Sequence, residues 1–352
     1  MKPNDSTLSV RLLWPFARVL TASPRALAAL RESALPVDFA NPAARVPRST
    51  VVELLERCAT MTGDPLLGLR AGAATDSGDG GVAEAAARTC ATLGEALECA
   101  RRHFRLLSDE TELVLVDDGT TTTCEFRAMF PLHEQHLAND FAVASLLSFI
   151  ERNTSRVVAP AEIRLAHERP VHASEYPRVF HCTRIIFNTE QNAVVIGNEH
   201  LSAPMVHSNP AAARAFDLHA GELVERLRST APTSRRVREQ IARSLGDGTA
   251  NMKVTAERLA MSEATLRRRL QDEGTTFADV LGDMRRELAL HYLEEQSIRL
   301  SDIASRLGYG SATAFDRAFR RWTGATPGRY RDERLRVAAR AAGQNRAHRA
   351  AS

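Results

Sequence analysis

The stretch 301-SDIASRLGYGSATAFDRAFRRWTGATPGRYR-331 decides how the last third of this chain folds. Six arginines stand in it beside Phe315, Phe319 and Trp322, around a Gly308-Tyr309-Gly310 turn. Ser311 is suited to cap the free N–H groups of a helix start. Phe315 and Phe319 follow it at helical spacing, so they share one face. An earlier copy lies upstream. Ala256-Glu257-Arg258-Leu259 precedes Ser262, Leu266 and Leu270, just as Ala304-Ser305-Arg306-Leu307 precedes Ser311, Phe315 and Phe319. The copies differ by one turn residue, Ala260-Met261 against Gly308-Tyr309-Gly310.

Two short helices joined by a tight turn, the second with an apolar and a polar face, make a helix-turn-helix. A single copy could equally be an ordinary helical hairpin; two copies, each with arginines on the outer face, favour the DNA-reading form. Residues 277–296 between them place Phe277, Val280, Leu281, Met284, Leu288 and Tyr292 at helical spacing, which predicts one long helix joining the units. Phe315, Phe319 and Trp322 are expected to face inward, and Ala312, Thr313, Asp316 and Arg317 outward toward base edges. Arg320, Arg321, Arg329 and Arg331 are placed to meet phosphate, which sets register without reading sequence.

The segment from Ala304 to Arg331 resembles the signature of the AraC/XylS family of bacterial transcription regulators, and the segment from Ala256 to Phe277 resembles the first half of the same domain. The resemblance implies two recognition helices entering successive major-groove segments of double-stranded promoter DNA. It assigns Ala264, Thr265, Arg267 and Arg268 to the first reading face, and Ala312, Thr313, Asp316 and Arg317 to the second. Ser262 and Ser311, at the two helix starts, join the phosphate-contacting set. Arginine can pair bidentately with guanine; Asp316 and the alanines cannot, which leaves the base preference open. Residues 45–72 and 181–205 resemble the sensor domain of an AraC subgroup described as arabinose-binding-like, whose members answer to varied effectors. The resemblance implies a small-molecule effector, contact with RNA polymerase and a possible homodimer.

Charge is divided along the chain. Residues 232–352 carry 23 Lys and Arg against 15 Asp and Glu, a net of +8, whereas residues 1–231 carry a net of −5. An acidic front and a basic back suggest two domains with different partners. Four segments are expected: an α/β effector-sensing domain at 1–205, a helix and linker at 206–233, a double helix-turn-helix at 234–332 and a basic tail at 333–352. The fold class is therefore a mixed α/β sensor followed by an all-α domain. The tail either prolongs the last helix or is unstructured.

In the front part, periodicity predicts helix over 8–33 around Leu12, Leu13, Phe16, Leu20, Leu27 and Leu30, interrupted by Pro15 and Pro24. It predicts helices over 49–61 with Ser49 as cap, over 92–107, over 133–153 and over 209–229, and loop over 72–82. A hairpin turns at Asp117-Asp118-Gly119, and strands follow near 161–167, 184–187 and 193–196.

No apolar run reaches bilayer length and the start MKPNDSTLSV is unlike a signal peptide, so a cytoplasmic protein without a membrane partner is expected. The five cysteines, Cys58, Cys90, Cys99, Cys124 and Cys182, show no C-x-x-C pair and read as buried free thiols. No catalytic residue, cofactor or metal is expected. His133 and His136 could be two metal ligands, but without a third they read as a surface pair. The rival reading is a DNA-repair enzyme with an AraC-like module, which needs clustered thiolates on a metal.

Overall fold

The computed structural model describes residues 6–25, 28, 41–128, 135–293, 298–334 and 336. Leu27, Leu30, His133 and the tail beyond 336 lie outside the described residues. The chain divides into two compact units, Met1–Thr230 and Ala231–Ser352.

The first unit opens on β1 (Thr7–Ser9), which pairs antiparallel with β2 (Arg45–Pro47). Of the interrupted helix expected over 8–33, the described residues form only short pieces. A 3₁₀ turn leads into the short α1 (Trp14–Val19), and a second follows at Leu20–Ala22. Leu13, Phe16 and Leu20 of that apolar set are buried and Leu12 is half-buried, but a strand distant in sequence pairs with the first residues of the segment. Pro15 lies in the first turn of α1, where its missing N–H costs nothing. In α2 (Arg48–Thr62) Pro47, not Ser49, is the N-cap, with no side-chain cap bond. Then come α3 (Leu67–Ala73), α4 (Gly81–Arg88) and α5 (Leu93–His103), so the expected loop at 72–82 is shortened from both sides. Thr92 caps α5 by accepting from the Glu95 N–H.

β3 (Thr111–Asp117) and β4 (Thr121–Ala128) form the expected hairpin. The Asp118 carboxylate accepts the Thr120 and Thr121 N–H groups, and Gly119 takes the positive φ of 89° that the turn requires. After α6 (His136–Asn153) come β5 (Glu162–Leu165), α7 (Tyr176–Phe180), β6 (Ile185–Phe187) and β7 (Asn192–Gly197). The sheet order is β3-β4-β7-β5-β6, with only β5 and β6 parallel. β7 is buried along its whole length, as its place in the middle of the sheet demands. α3 crosses α6 at two glycines: a Cβ on Gly68 would lie 2.0 Å from the Leu137 carbonyl oxygen, and one on Gly72 would lie 2.5 Å from the Ala144 Cβ. α8 (Pro210–Thr230) packs on this unit through Ala220 and Val224, so the helix of the expected 206–233 connector belongs to the first body.

The second unit is helical: α9 (Thr233–Ser244), α10 (Met252–Arg258), α11 (Glu263–Asp272), α12 (Phe277–Tyr292), α13 (Leu300–Arg306) and α14 (Ala312–Thr323), followed by helical residues 327–334. Its core includes Val237, Ile241, Leu266, Leu270, Val280, Met284, Ile303, Leu307, Phe315 and Phe319. α12 carries a capping box between Thr276 and Asp279 and spans about 24 Å. Leu281 and Tyr292, expected in its apolar stripe, are only half-buried. No helix among the described residues is long and apolar enough to cross a membrane.

Candidate functional site

The two helix-turn-helix units are α10–α11 and α13–α14, and their turns are hydrogen-bonded alike. In the first, the Ala260 N–H donates to Glu257 and the Met261 N–H to Ala256; in the second, Gly308 donates to Ser305 and Tyr309 to Ala304. Both turns need a left-handed residue at the same place, Ala260 at φ 54° and Gly308 at φ 67°. The glycine is required in the second, because a Cβ there would lie 2.8 Å from the Leu245 carbonyl oxygen. The recognition helices start alike too: the Ser262 hydroxyl accepts the Thr265 N–H at 3.1 Å, and Ser311 that of Ala314 at 3.2 Å.

Burial sorts the faces. Leu266, Leu270, Phe315 and Phe319 are buried, while Ala264, Arg267, Arg268, Ala312, Thr313 and Arg317 are exposed. Among the described residues, Arg267, Arg268 and Arg317 make no ion pair. Thr265 is half-buried, and its hydroxyl is held at 2.9 Å by that of Ser262. Asp316 pairs with Arg320 at 3.0 Å, one helical turn on, rather than with its neighbour Arg317. Arg320, Arg321 and Arg329 are exposed. Arg331 is half-buried and donates from one guanidinium nitrogen to the Ile298 carbonyl at 2.8 Å, fastening the helical residues 327–334. Trp322 is half-buried at the flank of α14, its ring 6.3 Å from Phe319 and 6.5 Å from Tyr309; Tyr330, 5.5 Å from Phe319, closes the other side.

Three polar side chains that spacing did not reveal hold these helices in place. Arg285 of α12 donates to the carbonyls of Leu307 and Gly308 at 2.8 and 3.0 Å and lies 4.5 Å over the Tyr309 ring, locking the second turn to the joining helix. Glu273 accepts the N–H groups of Thr233 and Ser234 and so caps α9. Partial burial disfavours its charge, but these bonds hold its carboxyl below the ordinary range. Arg238, buried, pairs with Glu287 of α12. Each partner lies 22 to 49 residues away, beyond the reach of helical periodicity.

The first unit holds an apolar cavity of about 250 Å³ between α1, α2, α4, α6 and the β3–β4 hairpin. Phe16, Phe104, Phe126, Phe141 and Phe149 are in its wall. Nothing in the sequence pattern located it, because its wall is assembled from segments spread between Leu8 and Asn192.

The cysteines are free, and all but the half-buried Cys90 are buried; burial pushes the Cys124 thiol up to about 12. Cys99, His103 and Asp217 converge with their ligand-type atoms within 4.8 Å, a set that could hold a metal ion. One Asp217 oxygen already serves His103 and Arg102, both at 2.7 Å, and this network ties α8 to α5. The i, i+4 spacing of Cys99 and His103 was the one visible signal of this cluster. A second buried cluster joins Asp140 to His167 at 2.9 Å and to Tyr176 at 2.6 Å.

Residues 25–205 match the family model described as the arabinose-binding domain of AraC transcription regulator, and residues 255–333 match a helix-turn-helix domain model. The chain is 32% identical over 276 residues to the ornithine utilization regulator of Pseudomonas aeruginosa, covering 77% of this chain and 80% of that one. It is 29% identical over 291 residues to the transcriptional regulator VirS of Mycobacterium tuberculosis, covering 80% of this chain and 82% of that one. It is 36% identical over 74 residues to the transcriptional activator CfaD of Escherichia coli, covering 21% of this chain and 28% of that one. With a sensor-type front domain and two matched reading units behind it, the chain belongs to the AraC/XylS family of DNA-binding transcription regulators.

Proposed function

We propose that the protein is a cytoplasmic transcription activator without enzymatic activity, whose front unit binds a small effector and whose back unit reads promoter DNA in two steps along one face. The observation that carries this is the pair of recognition helices with matching turns and caps, apolar faces buried and arginines exposed. Arg267 and Arg268 read one half-site and Arg317, with Ala312 and Thr313, the other. Ser262, Ser311, Arg320, Arg321 and Arg329 meet phosphate; Arg331 is left out because its guanidinium serves Ile298. Contact with RNA polymerase, which activation calls for, and pairing of two copies through the front unit complete the reading. Similarity to CfaD supports activation, and the apolar cavity supports sensing.

The test is binding of the full chain to DNA selected from a random duplex pool, followed across salt concentrations. Each phosphate contact contributes a log–log slope of about −0.9. A steep slope with a recovered consensus supports the reading; a flat slope, or no consensus, ends it.

A further inference from the structure

Chemistry that DNA reading leaves unused lies where α8 meets α5. Cys99 and His103 stand four residues apart on α5 and so share one face, and Asp217 reaches them from α8. The three ligand-type atoms lie within 4.8 Å of one another. Asp217 Oδ1 is 2.7 Å from His103 Nε2 and 3.8 Å from Cys99 Sγ. Cys99 and His103 are buried, whereas the Asp217 side chain is 42% exposed and opens the cluster to solvent. Arg102 holds the same carboxylate oxygen at 2.7 Å, and that ion pair already fastens α8. The thiol adds little to it, because S–H is a weak donor and sulfur a weak acceptor. As a thiolate beside an imidazole and a carboxylate, the same sulfur is a strong metal ligand.

We propose that Cys99, His103 and Asp217 form a site for one divalent transition-metal ion of the zinc class, with water in the fourth position. The claim is independent of the apolar cavity and of the effector. Donors on a tetrahedral zinc ion stand about 3.3–3.6 Å apart, from bond lengths of about 2.0–2.3 Å. Entry of the ion therefore parts the carboxylate from the imidazole by about half an ångström, and Asp217 has solvent on one side to yield. It draws Cys99 Sγ and His103 Nε2 together by no more than about 1.3 Å. The Cys99 thiolate and the Asp217 carboxylate balance the charge of the dication. Arg102 orients the carboxylate from outside, as the outer partners of metal ligands do. The donor set disfavours Ca²⁺ and Mg²⁺, which take about six or more oxygen ligands. One thiolate with one imidazole suits Zn²⁺ and its spectroscopic substitute Co²⁺. The bound ion joins α5 to α8, the last helix of the first unit.

The test is titration of the untagged, chelator-treated full chain with Co²⁺, kept reduced because the Cys90 thiol is hydrogen-bonded to that of Cys99. We expect one equivalent of Co²⁺ to give the intense visible bands of a tetrahedral ion together with a thiolate-to-cobalt charge-transfer band. Zn²⁺, which thiolate ligands favour, should bleach both. Cys99→Ser should remove the charge-transfer band. His103→Asn and Asp217→Asn should each weaken binding by more than about a hundredfold, since even the outer partners of metal ligands are worth about 10–100-fold. Cys182→Ser, which alters a buried thiol elsewhere in the first unit, should change neither band. Circular dichroism of each metal-free variant checks its fold, and Zn²⁺ should raise the melting temperature of the native chain but not of Asp217→Asn. Failure of the native chain to develop the bands overturns the proposal. A charge-transfer band that survives Cys99→Ser, or binding that Asp217→Asn leaves unchanged, overturns it as well, since either places the ion elsewhere.

Discussion

The two reading units share a backbone plan and differ in what holds it. The first is spare: Leu266 and Leu270 anchor its recognition helix, and its turn forces Ala260 into the left-handed region. The second rests on Phe315 and Phe319 with Tyr309, Trp322 and Tyr330 around them, turns at a glycine, and is clamped from α12 by Arg285. Its reading face also spends a charge internally, since Asp316 holds Arg320. The same recognition geometry can thus be reached with an aliphatic anchor and an open cationic face, or with an aromatic anchor and a partly neutralised one. On the proposed reading, the first unit is the freer to supply base contacts and the second the stiffer to set register.

The largest expected effect breaks the stiffer unit. Phe319→Ala removes a fully buried ring and should cost about 3–5 kcal/mol of stability. Trp322→Ala, at the half-buried flank, should cost clearly less, and chemical denaturation of both variants measures the difference. Equal losses would put Trp322 in the core.

The turns should respond with opposite signs. Gly308→Ala must adopt φ 67° against the Leu245 carbonyl and should destabilise by about 1–2 kcal/mol or more. Ala260→Gly relieves the matching strain and should stabilise by up to about 1 kcal/mol, less what the freer unfolded chain takes back. Thermal melts of the two variants sharpen the comparison; shifts of the same sign would undo the equivalence of the turns.

A smaller effect concerns charge. Asp316→Asn removes the ion pair that competes with phosphate for Arg320 and should steepen the salt slope of DNA binding by up to about one contact, with little change in stability because the pair is exposed. An unchanged slope would place Arg320 away from the backbone.

The smallest lies in the front unit. Burial disfavours the charge of His167, but the Asp140 carboxylate overrides this and raises its pKa. The stability it adds is therefore complete below about pH 6.5 and is lost as pH rises through the raised value. The melting-temperature gap between the native chain and His167→Asn should narrow from about pH 6 to about pH 9; a gap that widens would reverse the assignment.

Local repetition made the back unit legible. Ser262 and Ser311, the apolar pairs behind them and the outward arginines all follow from a period of 3.6, which needs no partner outside the segment. Features set by distant partners were not legible. Arg331 looked like any basic surface residue until Ile298 claimed it, and Asp316 sits beside Arg317 in sequence but one turn below Arg320 in space. In the front unit the hairpin and later strands were visible, whereas Thr7–Ser9 became a strand only because Arg45–Pro47 lies alongside. The cavity, built from segments across most of that unit, left no local trace.

The measurement that tests the account most directly is binding of the native chain, Arg268→Ala and Arg317→Ala to a library of single-base variants of the selected site. The account predicts relaxed preference in separate halves, by about 1–3 kcal/mol at the affected base pairs, with folding intact because both side chains lie on the exposed face. Overlapping sensitivity at the same few base pairs, or a uniform loss across all sequences from either variant, would contradict it.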